Sequence, residues 1–115
     1  MDGRLVLFDW AHAAQGPVAL DAVFFLPSLV HEAGFDPTAM LDHYRSALEA
    51  HDITVPEDAL TAQAALTAGY FAARAGLAVP PELPRLRRVQ RAQLAPALRF
   101  AAERLGLPPP PATRP

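Results

Sequence analysis

Hydrophobic and polar positions alternate at the spacing of α-helices over most of this chain. Four segments bounded by glycine or proline are each predicted to be a helix: residues 19–33, 37–50, 56–75 and 85–105. Gly34, Gly76 and Gly106 are expected to end the first, third and fourth helices. Asp36 and Pro37 form a start signal for the second, an N-cap residue followed by proline at the first helical position. The pattern therefore predicts a mainly α fold.

The larger apolar residues of these segments are the expected core. The apolar face of the first helix is nearly continuous, so we expect it to be buried on several sides. Pro27 is expected to kink this helix, and Pro96 to bend the last one. The expected apolar positions are Val23, Phe24, Leu26, Leu29 and Val30 in the first helix, Met40, Leu41, Tyr44 and Leu48 in the second, Leu60, Leu66, Tyr70 and Phe71 in the third, and Leu86, Val89, Leu94, Leu98, Ala101 and Leu105 in the fourth.

The amino-terminal residues follow a different pattern. Residues 5–8 are an apolar, strand-favouring run, and Asp2-Gly3 before them is a hairpin-turn dipeptide. We expect a short amino-terminal β-hairpin remnant whose first arm is missing, as in a truncated chain. At the other end, residues 108–115 are rich in proline and are expected to be disordered. The predicted organisation is one folded unit over residues 1–107 and a tail over residues 108–115.

Acidic residues mark both ends of the loop between this strand and the first helix. Asp9 follows the strand directly and is followed by Trp10, the loop contains Gly16 and Pro17, and Asp21 opens the first helix. A carboxylate at the end of a rigid strand is held where a metal ion or a phosphate can reach it. An acid in the first turn of a helix is favoured by the helix dipole. This loop is therefore the candidate site.

Residues 4–21 resemble the aminoglycoside phosphotransferase and choline-kinase-like family of small-molecule kinases. In that family a strand, Asp-Trp, about six residues, Gly-Pro or Gly-Asp and a second Asp follow the catalytic loop. The resemblance implies a partial protein-kinase-like carboxy-terminal lobe and, in the complete fold, ATP-dependent phosphorylation of a small-molecule hydroxyl with Mg²⁺. It implies that Asp9 is a magnesium ligand. It gives Asp21, Gly16 and Pro17 structural roles, with Asp21 holding the backbone of the catalytic loop.

The composition predicts that the chain is inactive alone. All ten basic residues are arginine, and the sequence contains neither lysine nor asparagine. A kinase of this family needs a lysine for the nucleotide phosphates and an asparagine for a second magnesium ion. The H-G-D catalytic loop is missing as well, because no histidine is followed by Gly-Asp. The expected function is that of a truncated carboxy-terminal lobe, with a missing amino-terminal kinase portion or a second copy as partner.

Several other classes of function are disfavoured. The chain has no cysteine, so it can form no disulfide or thiolate metal site. A net charge of −2 argues against broad nucleic-acid binding. No apolar run reaches the roughly 20 residues of a membrane helix, and no secretion signal is evident. The expected location is the cytoplasm.

Two further groups of side chains are candidate sites with simpler explanations. His12 lies three residues after Asp9, but no third metal ligand is near in the sequence, which favours an ordinary loop histidine. An arginine cluster could bind phosphate or nucleic acid, yet the acidic net balance favours a solvated face or salt bridges to the acidic helices. This cluster consists of Arg85, Arg87, Arg88 and Arg91.

Two other functions fit part of the pattern. Phosphoaspartyl hydrolases also place a nucleophilic aspartate after a strand, but here Ala11 occupies the position of their second aspartate and no lysine is available. The other alternative is a non-catalytic helical binding module that offers its apolar face to a partner protein. A kinase-lobe fragment should instead expose a large apolar patch and self-associate.

Overall fold

A computed structural model describes residues 3–4, 6 and 14–111 of the chain. The element order is α1 (Ala19–Ala33), α2 (Pro37–Glu49), α3 (Glu57–Ala75) and α4 (Leu86–Leu105), and the described residues include no β-strand. The mainly α prediction is confirmed, and each predicted helix boundary agrees with the structure to within one residue. The strand of the predicted hairpin lies largely outside the described residues, so the hairpin stays a prediction.

The helix ends form where the local start and stop signals lie. The Oδ1 atom of Asp36 accepts a hydrogen bond from the backbone N–H of Thr38 at 3.0 Å, which caps α2. Gly34 and Gly106 follow α1 and α4, each with a φ of 66°. This left-handed conformation is strained for residues with a Cβ atom, so glycine can end both helices without steric strain.

The core lies where α1 packs against the pair formed by α3 and α4. α1 contacts all three other helices, whereas α2 packs mainly on α1. The prediction that α1 is buried on several sides is therefore confirmed. The buried apolar residues are Ala19, Val23 and Leu26 of α1, Leu41 of α2, Val55, Leu60, Ala64, Ala68 and Phe71 of α3 and the turn before it, and Ala97, Phe100 and Ala101 of α4.

Three residues that were expected in the core lie at the surface. Val89 and Leu105 of α4 are 45% and 49% exposed, and Leu66 of α3 is 66% exposed. The predicted apolar stripe of α4 is thus partly wrong. Buried alanines on both α3 and α4 allow the two helix backbones to approach closely. The larger aliphatic residues Val89 and Leu105 are accordingly not among the buried residues of α4. Those buried residues are Gln90, Pro96, Ala97, Phe100 and Ala101.

Glu57 links three helices at one end of the molecule. Its carboxylate, in the first turn of α3, accepts hydrogen bonds from Arg45 of α2 and from Arg104 of α4. Arg45 also donates to the backbone carbonyl of Val55 at 3.3 Å. The bonds from Arg45 and then Arg104 hold the pKa of Glu57 below its ordinary value of 4.5. The ionised form of Glu57 is therefore favoured in the folded state.

Replacing Glu57 by glutamine is expected to make the stability less sensitive to acid. Because the folded-state pKa of Glu57 lies below its unfolded value, its stabilisation is fully present above that unfolded value. It is lost as the pH falls through the folded-state pKa. The measurement is the urea midpoint of unfolding at a series of pH values below about 6. The urea midpoint of E57Q should therefore change less with pH than the midpoint of the parent protein does.

Glu82 provides the matched control for this experiment. It is exposed in the link between α3 and α4 and makes no ion pair within the described ranges. The variant E82Q should therefore keep the acid dependence of the parent protein. Equal pH slopes for E57Q and the parent would contradict the assigned role of Glu57.

Candidate functional site

The loop that the sequence pattern indicates as the candidate site enters α1 through a tight turn. Gly16 and Pro17 are exposed, and the backbone N–H of Leu20 donates to the carbonyl of Pro17 at 3.0 Å. Asp21 lies in the first turn of α1, as the sequence predicted, and its side chain is exposed. No side chain caps this end of α1, since Val18 occupies the N-cap position. Asp21 is thus the acidic group that complements the helix dipole here.

Asp9, Trp10 and His12 lie outside the described residues. Their predicted roles, above all Asp9 as a magnesium ligand, therefore stay predictions. Asp21 lies twelve positions after Asp9 in the sequence.

Tyr44 of α2 ties the start of α1 to the rest of the fold. Its hydroxyl donates a hydrogen bond to the backbone carbonyl of Val18 at 2.6 Å. Burial raises the pKa of Tyr44, and the nearby carboxylate of Asp21 raises it further. The phenol therefore stays protonated at neutral pH and can serve as the donor. This contact positions the turn just before Asp21.

Replacing Tyr44 by phenylalanine is expected to destabilise the protein by about 0.5–1.5 kcal/mol, the usual contribution of one hydrogen bond. The ring and its packing are kept, so the change isolates the bond to Val18. The measurement is the free energy of unfolding in urea.

Tyr70→Phe is the matched control, because the contacts within residues 14–111 give the Tyr70 hydroxyl no hydrogen-bond partner. Equal stabilities of Y44F and Y70F would show that the Tyr44 hydroxyl does not hold the start of α1.

An open apolar groove of about 1290 Å³ begins beside Asp21 and is lined by all four helices. Its volume exceeds the range of about 300–1,000 Å³ that is typical for small-molecule pockets. Phe25 is 57% exposed and Val89 45% exposed along the groove. Among the described residues that line it, Asp21 is the one that carries a charge. The described lining of the groove is therefore largely apolar, with the carboxylate of Asp21 at the start of α1.

The side of the groove nearest α3 is an aromatic cluster. The ring of Phe24 lies edge-on to Tyr70, at 4.8 Å between centroids, and stacks with Phe71 at 5.5 Å. The guanidinium carbon of Arg74 lies 3.8 Å from the centroid of the Tyr70 ring. A cation at this distance over an aromatic face is attracted by the ring quadrupole. Arg74 thus covers one face of the Tyr70 ring. The three packed rings form one side of the groove.

Sequence reasoning missed this groove, although a signal for it was present. Phe24 and Phe25 are adjacent in α1, and adjacent helical positions are separated by about 100° around the helix axis. Both rings therefore cannot face the same core. Phe24 packs inward in the aromatic cluster, and Phe25 is left at the surface.

The described residues alone do not fit a Mg²⁺–nucleotide site. Mg²⁺ is held by one or two protein carboxylates together with waters and substrate phosphates. Asp21 contributes one exposed carboxylate, and within the described part of the chain no three potential metal-ligating side chains come together. Asp9 adds one carboxylate by resemblance. The lysine and asparagine that hold phosphate and metal in the kinase family are missing from the sequence.

Two members of the arginine cluster are used to hold the link between α3 and α4. The Nε atom of Arg91 donates to the carbonyl of Ala75, the last residue of α3, at 2.8 Å. The Nε atom of Arg87 donates to the carbonyl of Ala78 at 3.0 Å. The ion pairs found among the described residues instead involve Arg45 and Arg104. Arg87 and Arg91 thus have a structural role, because they attach the end of α3 and the start of the link to α4.

None of the helices in the described part of the chain has the length and apolar character needed to cross a membrane. Comparisons with protein-family models, with curated proteins and with solved structures give no match to this chain.

Proposed function

We propose that this chain is the carboxy-terminal-lobe portion of a small-molecule kinase of the aminoglycoside phosphotransferase and choline-kinase-like type. The observation that carries the proposal is the placement of Asp21. The Gly16-Pro17 loop turns directly into α1, so that this aspartate stands in the first helical turn, with its carboxylate exposed. That is the position in which the motif of the family requires its second aspartate. The mainly helical fold after this point is compatible with such a lobe.

In the proposed activity, each acid of the motif has a separate role. Asp9 would provide a carboxylate ligand for a Mg²⁺ ion, and that ion would supply positive charge to offset the negative charge of the nucleotide phosphates. Asp21 would accept hydrogen bonds from the backbone of a catalytic loop, and Tyr44 would keep the turn before Asp21 in place. Since the sequence has no lysine and no H-G-D loop, the chain alone is proposed to be inactive.

The test compares this chain with the protein encoded when the reading frame is followed upstream of Met1. We expect that longer protein to contain a nucleotide-binding lobe and an H-G-D loop, and to release ADP in the presence of ATP, Mg²⁺ and an aminoglycoside or amino-alcohol acceptor. The 115-residue chain, assayed alone, should release none. Phosphotransfer by this chain unaided would overturn the proposal, as would the lack of any kinase sequence in frame upstream.

A second candidate is a non-catalytic helical binding module, and the open groove favours it. A groove of about 1290 Å³ with an exposed phenylalanine can accept an apolar helix from another protein. Sedimentation and thermal unfolding distinguish the two candidates. A soluble monomer that unfolds cooperatively, with no kinase sequence upstream, supports the module. Concentration-dependent self-association supports a carboxy-terminal lobe whose apolar face is exposed because the amino-terminal kinase portion is missing.

A further inference from the structure

Two helices carry a proline in their interior, and both prolines line one small, partly open cavity. Pro27 of α1 and Pro96 of α4 are buried around a space of about 10 Å³. Proline has no N–H group, so the carbonyl four residues earlier loses its donor in the helix. For Pro27 that carbonyl belongs to Val23, which also lines the cavity. A backbone acceptor without its helical partner is therefore associated with this site.

The third helix brings a hydroxyl group to the same cavity. Thr67 is 3% exposed and lines the space, and its Oγ1 atom has no hydrogen-bond partner within the described part of the chain. Thr61 of the same helix behaves differently, since its hydroxyl donates to the carbonyl of Glu57 at 3.0 Å. Buried polar groups without partners are unfavourable and rare in folded proteins. We therefore expect the Thr67 hydroxyl to have a hydrogen-bond partner inside the cavity.

The size and lining of the cavity select that partner. A space of about 10 Å³ accommodates the centre of one water molecule and nothing larger. The rest of its lining is apolar, including Leu26, Ala97 and Phe100, and offers no charge to a bound ion. A buried water needs two or more polar partners. Thr67 supplies one such group, and the carbonyl of Val23, whose helical donor the proline of α1 removes, is the candidate for the second.

We propose that this cavity binds a single ordered water molecule, which bridges the Thr67 hydroxyl of α3 and the Val23 carbonyl of α1. The water exchanges one hydrogen bond with Thr67 and donates another to the carbonyl that Pro27 leaves without a helical donor. Pro96 closes the cavity from α4. The water thereby joins α1, the helix that carries Asp21, to the pair formed by α3 and α4.

Oxygen-17 magnetic relaxation dispersion, which counts long-lived internal waters, tests the proposal on the full chain. The variant Thr67→Val keeps the side-chain shape but removes the hydroxyl, and it should lose one long-lived water relative to the parent. Thr61→Val is the matched control and should keep the same count as the parent. A high-resolution crystal structure of the parent should place a water oxygen within about 2.7–3.2 Å of both Thr67 Oγ1 and the Val23 carbonyl oxygen.

Two results would overturn the proposal. One is a dry cavity in the parent protein, with the Thr67 hydroxyl donating to the carbonyl of Gln63 in its own helix. The other is an unchanged count of long-lived waters in T67V. If T67V does not fold, the crystal structure of the parent decides between a hydrated and a dry cavity. The outcome does not depend on whether the chain belongs to a kinase.

Discussion

Replacing Leu60 by alanine is expected to lower the free energy of unfolding by about 2–5 kcal/mol, the range for large-to-small changes at buried leucines. Leu60 lies in the second turn of α3 with 0% of its surface exposed, and it belongs to the buried cluster that α1, α3 and α4 share. The substitution removes apolar contacts and leaves a cavity that the surrounding helices fill only in part. Urea unfolding followed by circular dichroism measures the effect.

Leu66 supplies the matched control on the same helix. Its side chain is 66% exposed, so Leu66→Ala should change the free energy of unfolding by no more than about 0.5 kcal/mol. A domain of this size has a total stability of roughly 5–15 kcal/mol, so the loss in L60A is a large part of it. Similar losses in both variants would mean that the packing of α3 differs from the one described.

The second large effect concerns the proposed metal ligand. If the reading frame upstream of Met1 encodes the proposed kinase portion, Asp9→Asn in that longer protein is expected to lower kcat/KM for phosphotransfer by about 10²- to 10³-fold. A metal ion contributes several kcal/mol of transition-state stabilisation, and each 1.36 kcal/mol corresponds to about one factor of ten in rate. A neutral amide binds Mg²⁺ more weakly than a carboxylate does. The loss should shrink as the Mg²⁺ concentration is raised.

Asp36→Asn makes the same chemical change at a position that serves another purpose. Asp36 caps α2 through its bond to the N–H of Thr38, and asparagine is an equally good N-cap residue. The D36N protein should keep the activity and the stability of its parent. If D9N retained the activity of the parent at every Mg²⁺ concentration, Asp9 would not be a metal ligand and the proposed kinase role would lose its chemical basis.

The helix boundaries were predictable because their signals are local. Gly34 and Gly106 end helices through their own backbone conformation, and Asp36 starts α2 through a bond to a residue two positions away. The buried faces were less predictable, because burial depends on what packs against a helix. Val89 fits an apolar stripe by spacing alone, yet the close approach of α3 and α4 turns other positions inward.

In the candidate site, too, the local features were predictable and the contacts between distant residues were not. The place of Asp21 in the first helical turn follows from the sequence around it. The bond from Tyr44 to Val18 spans 26 positions, and the bond from Arg104 to Glu57 spans 47 positions. No pattern in a single sequence relates such distant residues, because their meeting depends on the packing of whole helices. The groove beside Asp21 is a product of that packing as well.

The bonds from Arg87 and Arg91 to the end of α3 and the link behind it bear on how the molecule opens locally. Both bonds attach the α3 end of that link, at Ala75 and Ala78, to α4, and guanidinium groups keep their charge at any pH that proteins tolerate. Local opening starts where few contacts resist it, and α2 packs mainly on a single neighbour. During deuterium exchange, backbone amides of α2 should therefore be labelled early. Those of α3 and α4 beside the link should be labelled only when the whole fold comes apart.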